Sequence, residues 1–326
     1  MNIDVDALVA GERRALARAI TLIESGRPQD RERARALIAT LPERPALRIG
    51  LSGTPGVGKS TFIEAFGLML IEQGHRVAVL AVDPSSARSG GSILGDKTRM
   101  EQLSRAPEAF IRPSPSQSAL GGVARRTREA IRLCEAAGYD IVLVETVGVG
   151  QSETMVADMT DLFLLLLAPA GGDELQGVKR GIMEVADLLL INKADGDLRT
   201  TAIRTVADYA GALRLLRKRG QDPEGWPKAL PVSATEGNGL AEAWGQMQQL
   251  AQWRKDQGIL DSQRRAQALG WFTQELEAGL LQRFRADPSV ASKLPQLQAN
   301  VTDGTLTPDA AADLALDLFL DAPNRP

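Results

Sequence analysis

The sequence from position 53 to position 60 is Gly53-Thr54-Pro55-Gly56-Val57-Gly58-Lys59-Ser60, and this stretch decides the fold that we expect. It fits the pattern G-x-x-x-x-G-K-[ST] at every required position. The apolar-rich segment 47–51 precedes it and is predicted to form a buried strand, and the segment 61–70 follows it with helical spacing of its apolar residues. A strand, a glycine-rich turn and a helix are therefore predicted in succession.

This residue pattern is typical of a loop that binds phosphate. Its glycines let the backbone wrap closely around an anion, so that successive N–H groups point at phosphate oxygens. Lys59 would reach the β- and γ-phosphates, and the Ser60 hydroxyl would hold a magnesium ion that bridges them. A chance match is the alternative, and the flanking strand and helix argue against it. The predicted nucleotide contacts here are Gly53, Thr54, Pro55, Gly56, Val57, Gly58, Lys59, Ser60 and Thr61.

Size and charge limit the class of the protein. With 326 residues and 44% hydrophobic content the chain can bury a large core, and its length suits one large α/β domain with helical additions. Its 38 basic and 41 acidic residues give a net charge of -3, so no general attraction to nucleic acid or to an anionic membrane is expected. The longest apolar run, 162–170, is too short to span a bilayer, and the chain does not begin with a signal-like segment. We therefore expect a cytoplasmic protein.

The single cysteine and the single histidine are both expected to lie outside the site. Cys134 falls on the apolar side of a predicted helix and has no second cysteine to pair with, so a buried structural thiol is expected. His75 stands at the start of a predicted strand, opposite to the end where ligands gather in open α/β sheets. A loop or surface position is therefore expected for His75, rather than a metal-binding or general-base role.

Further short apolar segments predict a mostly parallel central sheet flanked by helices. They lie at 77–82, 110–112, 139–145, 162–167, 187–191 and 230–232, and helical patterns separate several of them. Asp83 and Glu145 stand where two of these strands end, and the carboxyl ends of parallel strands meet at one edge of the sheet. Asp96 either caps a helix or contributes a third carboxylate near the metal. Gly148 is expected to contact the γ-phosphate through its N–H group, as part of a mobile switch segment.

The segment Asn192-Lys193-Ala194-Asp195 follows the strand at 187–191 and selects the base. A carboxylate at Asp195 can accept paired hydrogen bonds from two N–H donors of guanine that adenine lacks. Ser233, Ala234 and Thr235 follow the last strand, and their backbone is expected to contact the guanine oxygen. The sequence therefore predicts GTP and GDP, rather than ATP, as ligands, together with Mg²⁺.

Helical spacing dominates both ends of the chain. Two amphipathic helices are predicted between residues 4 and 41, and they are expected to cover the sheet. Beyond position 255, apolar residues such as Leu269, Phe272, Leu276 and Leu280 recur at mostly helical spacing. Periodicity alone leaves two interpretations open for these helices, either a core or an arm that binds another protein.

Long strings of this sequence resemble the MeaB/ArgK (MMAA-type) family, the methylmalonyl-CoA mutase-associated GTPases. Besides the phosphate loop, the matching strings are VDPSS, GGSILGDKTRM, IRPSPS, LGGVA, ETVGVGQSE, GDELQG and NKAD, all in order. The resemblance covers roughly residues 47–235 and is weaker in the C-terminal part. Pro42 and Pro45 and the predicted helix at 240–254 mark the ends of the nucleotide domain. We therefore expect an N-terminal helical extension at 1–46, a P-loop GTPase domain at 47–255 and a C-terminal helical part at 256–326, which the resemblance implies is a dimerisation arm.

The resemblance also implies a function. Members of the family act as G-protein chaperones that load adenosylcobalamin onto an acyl-CoA mutase, protect it and reactivate it, and they usually form homodimers. Lys59 and Ser60 then take the phosphate and magnesium roles, while Asp83, Asp96 and Glu145 lie at acidic switch positions. Gln151 is expected to help place the attacking water. The loop from 171 to Lys179 matches a further switch through which the mutase is thought to stimulate hydrolysis.

Three alternatives remain at this point. A GTPase that inserts a transition metal would need a cluster of cysteine or histidine ligands, which one cysteine and one histidine cannot supply. A kinase of an amino-acid transport system, an older description of this family, would transfer phosphate to a protein side chain. A scaffold insensitive to nucleotide would bind its partners normally after Lys59→Ala.

Overall fold

The computed structural model describes residues 3–82, 100–112, 120–146, 152–169, 180–215 and 222–320. The chain forms two compact units, Met1–Gln267 and Ala268–Pro326. The first unit is built on a sheet of seven described strands: β1 Leu47–Gly53, β2 Val77–Val82, β3 Ala109–Arg112, β4 Ile141–Thr146, β5 Leu162–Leu167, β6 Leu188–Ile191 and β7 Lys228–Pro231. Their spatial order is β3-β2-β4-β1-β5-β6-β7, and every pairing between them is parallel. The predicted α/β class is confirmed.

Helices separate the strands along the chain, as parallel pairing requires. The described helices of the first unit are α1 Val5–Val9, α2 Arg13–Glu24, α3 Pro28–Thr40, α4 Lys59–Glu72, α5 Glu101–Arg105, α6 Leu120–Ala136, α7 Ser152–Ala157, α8 Arg180–Val185, α9 Arg199–Leu215 and α10 Leu240–Asp256. The helix α11, Ile259–Ala286, begins in this unit and continues into the second one.

The hydrophobic core of the first unit contains side chains of the sheet together with aromatic residues of α4 and α10. Every residue of β2, β4, β5 and β6 is buried, which is why these strands read as continuous apolar runs. The rings of Phe62 and Phe66 on α4 stack at 5.3 Å, and Phe66 meets Trp244 of α10 edge to face at 6.0 Å. These helices therefore fix the position of the loop that joins β1 to α4.

The N-terminal segment differs from the prediction of two helices. Three form, because the first expected helix is interrupted between Ala10 and Glu12. Gly11 there has a φ of 84°, a left-handed conformation that L-residues rarely adopt, and its carbonyl accepts a hydrogen bond of 3.4 Å from Arg76 Nη2. A glycine in a left-handed conformation, which also accepts a contact from a distant part of the chain, thus separates α1 from α2.

The second unit is helical and exposes many apolar side chains. It contains the later part of α11, α12 Pro288–Thr302 and α13 Pro308–Leu320, with the rings of Phe284 and Phe319 in edge contact at 5.3 Å. None of the residues of α11, all of which the structure describes, is buried. Exposed large apolar residues of the unit are Leu269, Phe272, Leu276, Leu280, Leu281, Leu314, Leu316 and Leu320. The interpretation of these positions as core is therefore wrong for the single chain.

Among the described residues no helix is both long and apolar enough to cross a membrane.

Candidate nucleotide site

The loop between β1 and α4 has the backbone conformation that its glycines make possible. Gly56 and Gly58 have φ values of 78° and 90°, both in the left-handed region. Gly58 is the N-cap of α4, and the helical hydrogen-bond pattern begins with Phe62 N donating to Gly58 O at 2.9 Å. The amides of residues 59–61 precede that bond, in the first turn where helix N–H groups bind anions.

At two of these positions there is also no room for a side chain. A Cβ atom at Gly53 would lie 2.5 Å from the carbonyl oxygen of Leu166 in β5, and one at Gly58 would lie 2.8 Å from Asn192 Nδ2. Both distances are shorter than real Cβ contacts, so any side chain would push the loop away from its neighbours. The loop is therefore held against β5 on one side and against the segment after β6 on the other.

Lys59 and Ser60 lie at the start of α4, as the sequence predicts. The Lys59 Nζ donates hydrogen bonds to Gly53 O at 2.7 Å and to Thr54 O at 3.4 Å, so its ammonium group folds back over the loop. Ser60, in the same first turn, is partly exposed. Both side chains are thus at the junction of the loop and α4, which their predicted phosphate and magnesium roles require.

The segment after β6 is hydrogen-bonded to the phosphate loop. Asn192, 2% exposed, donates from Nδ2 to Val57 O at 2.9 Å, and Lys193 donates from Nζ to Gly56 O at 2.8 Å. The structure therefore brings the two strongest sequence motifs together at the carboxyl edge of the sheet. Lys193 has a φ of 58°, an uncommon conformation for a residue other than glycine.

Asp195 is held by the segment after β7. The Ser233 hydroxyl donates to Asp195 Oδ2, and Thr235 Oγ1 donates to the same oxygen at 3.4 Å. The backbone N–H of Ala234 donates to Asn192 Oδ1 at 3.2 Å. The sequence predicted only backbone contacts to a base from residues 233–235. Their contacts to Asp195 and Asn192 were not anticipated, because they join segments about 40 positions apart.

The predicted metal-side carboxylates are described only in part. Glu145 lies at the carboxyl end of β4, paired in register with Leu51 of β1, and it is 4% exposed. Asp83, Asp96, Gly148, Gln151 and Lys179 lie outside the described residues. Within the described ranges no group of three or more His, Cys, Asp or Glu side chains could by itself hold a metal ion. An Mg²⁺ ion at this edge would therefore need phosphate oxygens or the remaining residues among its ligands.

The two residues expected to lie away from the site do so. Cys134 is fully buried, and burial, with the charge of Glu135 adding to it, raises the pKa of its thiol. His75 precedes β2 at the amino end of the sheet, where Nδ1 lies 3.5 Å from Asp140 Oδ1 and the ring meets Trp244 edge to face. Neither side chain is at the carboxyl edge.

The sequence did not predict a buried cluster of charged side chains, which lies at the amino end of the sheet. Arg254 of α10 is 1% exposed and donates from Nη2 to Asp187 Oδ1 at 2.6 Å and to Asp222 Oδ1 at 2.5 Å. Burial lowers the pKa of Arg254, but the charges of both carboxylates outweigh it and hold the pKa above its ordinary value. Arg254 Nη1 also donates to the carbonyl oxygen of Asp161 at 2.9 Å. Asp161 and Asp187 each stand directly before an apolar strand, and this repeated pattern of an aspartate before leucines could have indicated the cluster.

A parallel sheet with this loop after β1 and an N-K-x-D segment bonded to it defines a phosphate-loop GTPase. The family model described as "Methylmalonyl Co-A mutase-associated GTPase MeaB" matches residues 16–289, which is most of the chain. The chain belongs to this family, and it is a GTP hydrolase that binds guanine nucleotide.

Individual proteins support the same assignment. The mouse "Methylmalonic aciduria type A homolog, mitochondrial" is 52% identical over 325 residues, covering 96% of this chain and 78% of that protein. The "GTPase ArgK" of Escherichia coli is 48% identical over 300 residues, covering 91% of this chain and 90% of that protein. A crystal structure of an LAO/AO transport system kinase is 39% identical and has a TM-score of 0.75, with 97% of this chain and 96% of that chain covered.

Proposed function

We propose that this GTPase is a chaperone of an adenosylcobalamin-dependent acyl-CoA mutase, and that it couples GTP binding and hydrolysis to loading, protection and reactivation of that enzyme. The observation that carries the proposal is that the Asn192–Asp195 segment is hydrogen-bonded to the phosphate loop. The chain in which this occurs matches a mutase-associated family over residues 16–289. In a member of this family, the change from bound GTP to bound GDP would determine when the cofactor is transferred to the mutase.

Binding of GTP would use both halves of the site. The loop amides and Lys59 would take the phosphates, with Lys59 Nζ exchanging the carbonyl oxygens of Gly53 and Thr54 for phosphate oxygens. Asp195, oriented by Ser233 and Thr235, would accept hydrogen bonds from N1–H and the 2-amino group of guanine. Guanine is then selected because adenine offers no donor pair at these positions.

Magnesium is the expected metal of this site. The Ser60 hydroxyl would bind it together with phosphate oxygens, and Glu145, Asp83 and Asp96 are the carboxylates proposed around it. When bound, the ion supplies positive charge that stabilises the charge developing on the phosphates. Gln151 is proposed to orient the attacking water and Lys179 to add positive charge. This residue set contains no strong base, so slow intrinsic turnover follows.

The second unit is proposed to form a homodimer. Leu269, Phe272, Leu276 and Leu280 recur along α11 at spacings of three or four residues, with exposures of 57% to 67%. A row of this kind on a single chain is typical of a surface that another chain covers. Leu276→Glu should shift the mass measured by light scattering from dimer to monomer, whereas the exposed Glu277→Gln on the same helix should leave it unchanged.

The central experiment measures GTP hydrolysis with and without a mutase. Single-turnover rates with methylmalonyl-CoA, isobutyryl-CoA, 2-hydroxyisobutyryl-CoA and ethylmalonyl-CoA mutases should rise with one of them, and that mutase should accept adenosylcobalamin faster in the presence of GTP. Lys59→Ala should abolish both effects. Unchanged hydrolysis with all four enzymes would contradict the proposed partner.

The kinase description attached to the solved relative provides a defined competing outcome. With γ-labelled GTP and a periplasmic extract, the label should appear as inorganic phosphate, because the proposed reaction transfers the phosphoryl group to water. Label recovered on a protein, and lost with Lys59→Ala, would favour the kinase instead.

A further inference from the structure

The carboxylate of Asp161 joins the beginnings of β1 and β5 at the amino end of the sheet. Its side chain is fully buried, and its Oδ2 accepts a hydrogen bond of 2.8 Å from Arg48 N. The backbone forms a second hydrogen bond between the same two residues, since Asp161 N donates to Arg48 O at 2.8 Å. The relative position of the two strands is therefore fixed at this residue.

The first turns of α11 hold this junction with polar side chains. Arg264 donates to Asp161 Oδ1 from Nε at 2.8 Å and to Asp161 Oδ2 from Nη2 at 2.7 Å, and Nη2 also donates to Ala46 O at 2.7 Å. Gln263 and Gln267 donate from Nε2 to Thr160 O at 3.1 and 2.8 Å. We call this group the sheet-base latch; its members are Ala46, Thr160, Asp161, Gln263, Arg264 and Gln267.

The chemistry of the latch allows it to open. No residue of α11, which the structure describes in full, is buried, so the helix is held to the sheet without a fully buried apolar side chain of its own. Hydrogen bonding to Asp161, helped by that carboxylate's charge, outweighs burial and raises the pKa of Arg264, so its guanidinium stays charged. Polar contacts of this kind can be exchanged for water or for other partners.

The strands joined by the latch lead directly to the phosphate loop. β1 and β5 are in register from Ile49 and Leu162 to Gly53 and Leu166. Gly53 opens the loop, its carbonyl accepts Lys59 Nζ, and its Cα is so close to Leu166 O that a Cβ would be 2.5 Å away. Packed strands transmit small displacements along their length because close packing leaves no slack. A shift of β1 against β5 would therefore move the groups that contact phosphate.

We propose that the sheet-base latch couples α11 to the nucleotide. When the latch is closed, it holds β1 and β5 in the relative position that binds guanine nucleotide, and its release speeds dissociation of GDP. α11 continues into the second unit, so a protein bound there could bias the latch. Coupling is reciprocal, so bound nucleotide must also stabilise the closed latch. This inference rests on the proposed nucleotide role of the loop.

The test uses the full chain and two variants of neighbouring arginines. Arg264→Gln removes the guanidinium that bonds Asp161, and Arg265→Gln makes the same change at an exposed position on the next residue of α11. Release of a fluorescent GDP analogue should be faster in Arg264→Gln, on the order of five- to a hundredfold, the usual range of coupling between sites. Arg265→Gln should release it like the wild type.

Hydrogen–deuterium exchange provides the readout that a purely structural role would not change. In the wild type, GDP should slow amide exchange at residues 259–267, and Arg264→Gln should lose this nucleotide-dependent difference. If Arg264→Gln does not fold, Gln263→Ala with Gln267→Ala removes two donors without leaving a buried charge, and a smaller acceleration of GDP release is expected.

Two results would overturn the proposal. One is a rate of GDP release that is unchanged in a folded Arg264→Gln protein or in the variant with Gln263→Ala and Gln267→Ala, and the other is amide exchange at residues 259–267 that GDP does not affect in the wild type. Either would leave the proposed function intact if the wild type still hydrolyses GTP and responds to a mutase. Failure of the proposed function would instead appear as wild-type hydrolysis that no mutase stimulates, whatever the variants do.

Discussion

Asn192 Nδ2 donates a hydrogen bond of 2.9 Å to the carbonyl oxygen of Val57, so the segment that is proposed to read the base also supports the phosphate loop. The other side-chain atom, Oδ1, accepts from Ala234 N at 3.2 Å. One buried amide therefore joins three segments that come from the ends of three strands, β1, β6 and β7.

Removing that amide should weaken binding and folding together. Asn192→Ala leaves Val57 O and Ala234 N without this partner, and buried polar groups that lose a partner cost about 1–3 kcal/mol. We expect a comparable fall in the free energy of unfolding measured by urea titration, and weaker binding of both GDP and GTP by calorimetry. Asn300→Ala, which removes a contact to Gln296 on an exposed helix face, is the matched control. Equal GDP affinity for Asn192→Ala and the wild type would contradict this support.

Asp195→Asn should change the preferred base. The substitution exchanges one acceptor oxygen for an amide donor, which suits the 2-oxo group of xanthine and not the 2-amino group of guanine. A hydrogen bond to a charged group contributes about 1.5–3 kcal/mol, so GTP affinity should fall by at least about tenfold while that for xanthosine triphosphate rises. Competition against a fluorescent GDP analogue measures both affinities, and an unaltered preference for guanine would remove Asp195 from the base site.

Gly58→Ala should distort the phosphate loop. The left-handed backbone of Gly58 costs an L-residue about 1–2 kcal/mol, and the new Cβ would lie 2.8 Å from Asn192 Nδ2. We expect loss of GTP binding with a lower free energy of unfolding. Gly245→Ala is the control, since it lies within α10, where no described atom lies within 4 Å of a Cβ, and should raise the free energy of unfolding by about 0.5–1 kcal/mol. A Gly58→Ala protein that binds GTP normally would contradict the proposed cradle.

The buried thiol of Cys134 should make stability depend on pH in the alkaline range. Its pKa is raised in the folded chain, so above the ordinary value of about 8.5 the unfolded chain loses this proton while the folded chain keeps it. The free energy of unfolding should then fall by up to about 1.4 kcal/mol per pH unit. Urea titrations between pH 8.5 and 10 should show this slope, and Cys134→Ala should reduce it. Rapid reaction of the native thiol with a disulfide reagent would contradict its burial.

Much of the sheet could be predicted because its strands carry a local pattern. The segments 77–82 and 162–167 consist only of apolar residues, and the observed strands have the same bounds. The loop after β1 was recognisable because its eight-residue pattern places glycine at Gly56 and Gly58, where the backbone has φ values of 78° and 90° that other residues rarely adopt. Local sequence is sufficient when the cause of a structure is itself local.

The remaining features depend on contacts between distant residues. The break at Gly11 accompanies a hydrogen bond from Arg76, and Arg254 reaches Asp187 across 67 positions. The contacts of Arg264 with Asp161 and Ala46 join positions 103 and 218 apart. Charged residues at such positions resemble ordinary surface residues in a sequence, because their partners become apparent only when the chain has folded.

The position of β1 inside the sheet determines how early in translation the nucleotide site can form. A nascent chain that has reached Arg112 contains β1, β2 and β3, yet β1 pairs with neither of the other two. Its neighbours, β4 and β5, are complete only when Leu167 has been added, and Asn192 follows later still. Translation thus produces the nucleotide loop early and its supports late, so a growing polypeptide would first be able to retain GTP only well after the midpoint of its synthesis.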